Sequence, residues 1–141
     1  PHGHPLTKVK HVSVDDLARY PLITYSPEFT GRSHIDQAFA VKGLKMDVVL
    51  TAIDADVIKT YTELGLGVGI IAAMAFDAKR DARLHAIDAG NLFHNNTTRV
   101  AIKRAAYLRR YTYAFIQMFA PHLTPEMVDK ARLAKGENYE L

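Results

Sequence analysis

The chain has 141 residues, 48% of them hydrophobic and 23% charged, with a net charge of +3; this suits one globular domain with its own core. It has no cysteine, which excludes a disulfide framework and thiolate chemistry and agrees with a reducing cytoplasm. No apolar run approaches the roughly 20 residues of a membrane span, no signal peptide is visible behind PHGHPLTKVK, and so mild a charge does not by itself indicate nucleic acid. The chain opens on Pro1 rather than Met, so a piece of something longer is expected.

Residues 1–11 carry two prolines, one glycine and three histidines and read as a loop or frayed start. Ser13 then caps a short helix with Asp15 and Asp16 in its first turn. Pro21 stops it, because the residue before a proline is kept out of the helical region. Residues 22–25, LITY, form a short strand. Residues 29–33, FTGRS, read as a loop between that strand and a helix whose Ile35, Ala38 and Phe39 face inward, with Gly43 as its stop. A second strand covers 46–51, MDVVLT.

The stretch 51–74, TAIDADVIKTYTELGLGVGIIAAM, is the compact crossover of an α/β sheet. Asp54 is its N-cap, Val57, Ile58, Tyr61 and Leu64 share one helical face, and Gly65 is the left-handed stop. Residues 68–72, VGIIA, follow as a strand buried on both faces. Beyond a polar segment at 77–81, residues 83–87 read as a strand and 88–96 as a loop. Residues 97–104 alternate, with Val100 and Ile102 on one face and Arg99, Ala101 and Lys103 on the other. A helix follows with Leu108, Tyr111, Phe115, Met118 and Phe119 on one stripe, closed by Pro121. Thr124 and Pro125 open a last helix reaching about Lys135, ahead of Gly136. The order of elements predicts an α/β architecture with a largely parallel sheet.

Several residue sets suggest chemistry. Gly65, Gly67 and Gly69 lie between a helix and the next strand. A dinucleotide fingerprint needs its glycines between a strand and the next helix, so capping and tight packing explain these three better. His2, His4, His11, His34, His85, His94 and His122 show no metal-ligand spacing. No serine sits in a nucleophile elbow, and Asp54 and Asp56, two apart, do not share a helical face. No enzyme, no metal and no cofactor are expected. Arg99, Lys103, Arg104, Arg109 and Arg110 are broken by apolar positions and suit a solvated face or protein contact better than a nucleic-acid surface. The loop 30–33, TGRS, offers hydroxyls, free amides and the positive end of a helix, with Arg32 to suit a carboxylate or sulfate. It reads equally well as plain capping, with Ser33 and Asp36 as a capping box. Ligands of doubly wound sheets sit beyond the carboxyl ends of the strands; both this loop and the 51–54 turn follow such an end, so the two could line one cleft.

The segments TGRSHIDQAF, TAIDADVIKTYTELGLGVGIIAAMA and LRRYTYAFIQMFAPHLT closely resemble LysR-type transcriptional regulators of the CysB group, over all but the first and last few residues. The resemblance implies a periplasmic-binding-protein-like effector region of two α/β subdomains with the effector in the cleft between them. Residues 1–96 then correspond to the second subdomain. Residues 97–141, a strand and two helices, return to the first subdomain, whose remainder is absent together with the winged helix-turn-helix domain. It further implies a cytoplasmic activator of sulfate assimilation and cysteine biosynthesis, tetrameric as the parent, that binds DNA through the absent domain and responds to N-acetylserine or O-acetylserine, with sulfate or thiosulfate-like anions as further ligands. Thr30 matches the threonine that the second subdomain gives to the effector site, whose other hydroxyl and amide ligands lie in the absent first subdomain; from the two turns themselves, Phe29, Gly31, Ser33, Thr51 and Asp54 complete the expected set. The family pattern often has Gly where this chain has Glu28, whose carboxylate would repel an anion if turned inward. The rival reading is a periplasmic-type solute-binding protein for sulfate or a small amino acid.

Overall fold

Three parallel strands organise the first half of the chain, β1 Leu22–Tyr25, β2 Val48–Ala52 and β3 Val68–Gly69, in the order β2-β1-β3. The computed structural model describes residues 1–94, 98–103 and 106–133. Two compact units divide the chain, Pro1–Asn96 and Thr97–Leu141.

In the first unit β1 takes the central place because its side chains tolerate burial: Leu22, Ile23 and Thr24 are fully buried. Thr24 meets the cost of burying a hydroxyl by donating to the Ile70 carbonyl at 3.4 Å. Tyr25 pairs with Ala52 of β2, and Ile23 with Gly69 of β3. Crossover helices connect the strands: α2 (Thr30–Val41) from β1 to β2 and α3 (Ala55–Glu63) from β2 to β3. Leu22 joins Leu6, Val12, Val14, Leu17, Ile35 and Phe39 in one core cluster.

Several local signals of the sequence hold. Helix α1 (Val14–Leu17) begins with a complete capping box, Ser13 accepting the Asp16 amide and Asp16 accepting the Ser13 amide. Gly43 and Gly65 end α2 and α3 with φ of 66° and 80°. After α3 the Leu66 amide reaches the Tyr61 carbonyl and the Gly65 amide that of Thr62, a full Schellman stop.

Other expectations are corrected. The start is not frayed: Pro5–Lys8 is a 3-10 turn capped by His4 Nδ1, and Leu6 is buried in the core. Strand β3 has two residues, half-buried, rather than the five of 68–72. Its last backbone bond to β1 is from the Ile70 amide to the Ile23 carbonyl; β1 continues to Tyr25, but the Tyr25 carbonyl accepts from Arg32 and the Ala72 amide meets the Tyr25 hydroxyl instead. The inward face of α3 is Ile58 and Thr62, leaving Val57, Tyr61 and Leu64 exposed. Thr62 turns inward because its hydroxyl donates to the Ile58 carbonyl at 2.8 Å and Gly69 leaves room beside it. Residues 83–87 form no strand; the Leu84 amide turns back to the Asp81 carbonyl instead.

The segment after β3 is held on α3 by one lysine. Lys59 Nζ, its side chain only 11% exposed, donates to the Ala75 carbonyl at 3.0 Å and pairs with Asp81 at 3.1 Å and Asp56 at 2.7 Å. The bond to Asp56 is the chief reason its pKa lies above the ordinary lysine value.

The second unit has α4 (Arg110–Phe119) and α5 (Pro125–Leu133) around Ile116, Leu123 and Val128. Thr124 caps α5 as expected, its hydroxyl accepting the Met127 amide; Lys135 and Gly136 lie outside the described residues. Tyr113 donates to Asp129 at 2.6 Å, and Arg132 joins Asp129 to the Ala106 carbonyl. On the expected stripe of α4, Tyr111, Phe115, Met118 and Phe119 are exposed, Met118 to 84%. Residues 98–103 form no strand, although Ile102 packs on the core of this unit. The ends of that expected strand, Thr97 and Arg104, lie outside the described residues.

Candidate functional site

Parallel strands leave one edge of a sheet together, so the turns after β1, β2 and β3 share an edge. Two of them enter helices, and those two helix starts differ in chemistry. At α3 the Asp54 carboxylate accepts the Asp56 amide at 2.6 Å, and Asp56 stands in the first turn. The bond from Lys59 holds Asp56 below the ordinary carboxylate pKa, so the positive end of α3 already faces two anionic groups.

At α2 the N-cap is Phe29, which offers no side-chain acceptor, and the first turn holds no acid. Among the described residues no acceptor is found for the amides of Thr30 and Gly31. Thr30 is exposed beside them and Phe29 is 41% exposed. A twelve-residue helix thus presents an open N-terminus with a hydroxyl and two amides, an arrangement suited to an anionic group.

Arg32 is not a free charge here. Its Nε donates to Asp36 at 2.7 Å and its Nη1 to the Tyr25 carbonyl at 3.0 Å, with the side chain only 11% exposed. It clamps the first turn of α2 to the end of β1. The expected capping box of Ser33 and Asp36 does not form, since the N-cap is Phe29, four residues before Ser33, and the helix begins at Thr30. Ser33 Oγ donates to the Thr30 carbonyl at 2.7 Å instead. Phe29, Thr30, Gly31 and Ser33 therefore gather at one helix start. Thr51 is exposed near the end of β2, in register with Thr24, and Asp54 is exposed but occupied as a cap.

Sequence reasoning missed Tyr25, which meets both the start of α2 and the segment after β3. Its partner Ala52 accepts the Ser26 amide at 3.0 Å, its hydroxyl accepts the Ala72 amide at 3.3 Å, and its ring lies 6.1 Å from Phe29. The available signal was an aromatic residue with a polar tip as the last residue of a strand.

The glycines belong to the scaffold. A Cβ at Gly67 would lie 2.5 Å from the Pro21 carbonyl oxygen, and one at Gly69 would lie 2.5 Å from Thr62 Oγ1. A surface hollow of about 330 Å³ lies away from the sheet edge, between Ser13, Gln37, Lys42, Asn91 and His94, along the later turns of α2. The helix-start chemistry, not this hollow, marks the candidate site. Among the described residues no group of three or more His, Cys, Asp or Glu is placed to hold a metal ion. Of the basic set, Arg99, Lys103, Arg109 and Arg110 are exposed, and Arg104 lies outside the described residues.

Residues 1–124 match the family model described as LysR substrate binding domain. The chain is 58% identical over 123 residues to the HTH-type transcriptional regulator SsuR of Burkholderia cenocepacia, covering 87% of this chain and 40% of that protein. It is 53% identical over 141 residues to the regulator CysB of the same organism, covering 100% and 45%. With the regulator cbl of Escherichia coli it shares 40% identity over 137 residues, covering 97% and 43%. The crystal structure of the cofactor-binding domain of the Cbl transcriptional regulator superposes with a TM-score of 0.83 at 40% identity, covering 96% of this chain and 59% of that one. The chain spans less than half the length of these curated relatives.

Proposed function

The chain belongs to the LysR substrate-binding domain family, and from that membership we propose that it is the effector-sensing part of a CysB-like activator of sulfate assimilation and cysteine biosynthesis. The effector is N-acetylserine or O-acetylserine, with sulfate or a thiosulfate-like anion as a further ligand. The open N-terminus of α2 carries this reading. Thr30 and the amides of Thr30 and Gly31 receive the anionic group, Phe29 and Ser33 flank it, and Thr51 and the Asp54 turn frame it on the β2 side. Residues 1–96 form the second wall of a two-subdomain cleft, 97–141 belong to the first subdomain, and the facing ligands come from chain beyond this one. An effector that prefers the closed cleft shifts the population of a tetrameric parent, and the helix-turn-helix domain outside this chain carries the change to DNA in the cytoplasm. No helix among the described residues is long and apolar enough to cross a membrane, and no membrane partner is proposed. The relatives above are named as regulators, which disfavours a periplasmic-type solute-binding protein.

With one wall of the cleft, the 141-residue chain binds N-acetylserine weakly by calorimetry; tight binding refutes the two-wall reading. In the complete regulator Thr30→Ala lowers the transcriptional response to N-acetylserine by roughly three- to tenfold, the loss of one hydrogen bond. Its melting temperature stays near that of the parent because Thr30 is exposed. Unchanged induction removes Thr30 from the site.

A further inference from the structure

We propose that Tyr25 is the positioning residue of the anion site, fixing the post-β3 segment against the first turn of α2 so that the open amides keep one geometry. This rests on the reading of the α2 start as that site. The two connections run from opposite ends of one residue. The Tyr25 carbonyl accepts from Arg32 Nη1 at 3.0 Å, and Arg32 is itself fixed by Asp36 at 2.7 Å. The Tyr25 hydroxyl accepts the Ala72 amide at 3.3 Å, across 47 residues of sequence. Between these contacts the ring lies 6.1 Å from Phe29, the N-cap of the helix whose amides are open.

The bond to Ala72 replaces a missing strand. The ladder between β1 and β3 ends with the Ile70 amide on the Ile23 carbonyl, so the next amide facing β1 finds a side-chain oxygen instead. Removing that one oxygen frees the Ala72 amide without disturbing the ladder, while Lys59 still holds the segment farther on, at Ala75. The hydroxyl can also donate, and no acceptor for it is found among the described residues.

The bond can be cut from either side. Tyr25→Phe keeps the ring and its place beside Phe29 and removes only the acceptor. Ala72→Pro removes the donor at a residue whose φ of −65° already suits proline. Sodium sulfate is titrated into the isotopically labelled 141-residue chain and both variants, against sodium chloride at matched ionic strength, and amide shifts are followed. In the parent chain, sulfate but not chloride shifts Thr30 and Gly31. In both variants the sulfate dissociation constant at these amides rises by roughly three- to tenfold, the scale of one hydrogen bond, while the melting temperature changes little. Equal sulfate affinity in the parent and Tyr25→Phe overturns the positioning role and leaves the anion site standing. Weakening by Tyr25→Phe but not by Ala72→Pro overturns the link through Ala72. No sulfate-specific shift in the parent overturns the anion site and this inference together. Should Tyr25→Phe fail to fold, the Ala72→Pro titration alone decides the link.

Discussion

Glu28 stands immediately before the N-cap of α2, exposed, one residue from the ring of Phe29. A carboxylate there favours the helix dipole in the absence of ligand and repels an anion that would use the same amides. Glu28→Gln is therefore expected to tighten sulfate binding by roughly two- to fivefold, the usual worth of one charge at a helix end, as read from amide shifts. Weaker binding would show that Glu28 helps hold the ligand. At this scale the sequence was informative where a residue's partner is a near neighbour. Asp54 was readable as a cap because the amide it accepts belongs to Asp56. Arg32 reads from sequence as a charge to suit a carboxylate or sulfate; the carboxylate it meets is Asp36 of its own helix, and its second partner, the carbonyl of Tyr25, lies on a different element. Tyr25 was missed altogether because its hydroxyl meets Ala72, a contact that no local pattern encodes.

Among elements the same division holds. The caps of α1, α3 and α5 and the glycine stops of α2 and α3 are written in four or five consecutive residues, and each of these is found where expected. Strands need a partner from elsewhere, and there the reading overreached. Residues 68–72 and 83–87 have β-forming composition, but β1 offers the former only a short ladder and the latter turns away at Asp81. The face of α3 was misplaced because hydrophobicity alone undervalues Thr62, whose hydroxyl is satisfied within its own helix. On α4 the apolar stripe is real but exposed, with Ile116 carrying the packing. A contiguous exposed apolar stripe favours association between copies. Phe115→Glu with Met118→Glu is accordingly expected to leave the melting temperature nearly unchanged and to shift light scattering at high protein concentration toward monomer. Parent and variant scattering alike as monomers would show that the stripe does not mediate self-contact.

For the whole molecule, the division between Asn96 and Thr97 has an energetic counterpart. The core cluster of the first unit and the hydrophobics packed on it come from residues 6–93, and all three strands precede residue 70. A chain ending at His94 is therefore expected to fold cooperatively, with circular dichroism melting close to that of the parent chain. A broad, non-cooperative melt would show that the first unit depends on the second. The α/β class and the parallel sheet were readable from the alternation of strands and helices, because that alternation is itself local.

Lys59 gives the segment after β3 a chemical signature. Amine acylation requires the neutral, accessible form of a lysine, and this one is enclosed by two carboxylates and a carbonyl with its proton held tightly. Under limiting reagent Lys59 is expected to label much more slowly than Lys42, whose side chain is 57% exposed, as peptide mass mapping would show. Equal labelling would mean that the ammonium is not held. Once Lys59 is acylated its ammonium is gone, and with it the ion pairs that tie α3 to Asp81 and Asp56. The reaction that reports the attachment therefore also removes its charge.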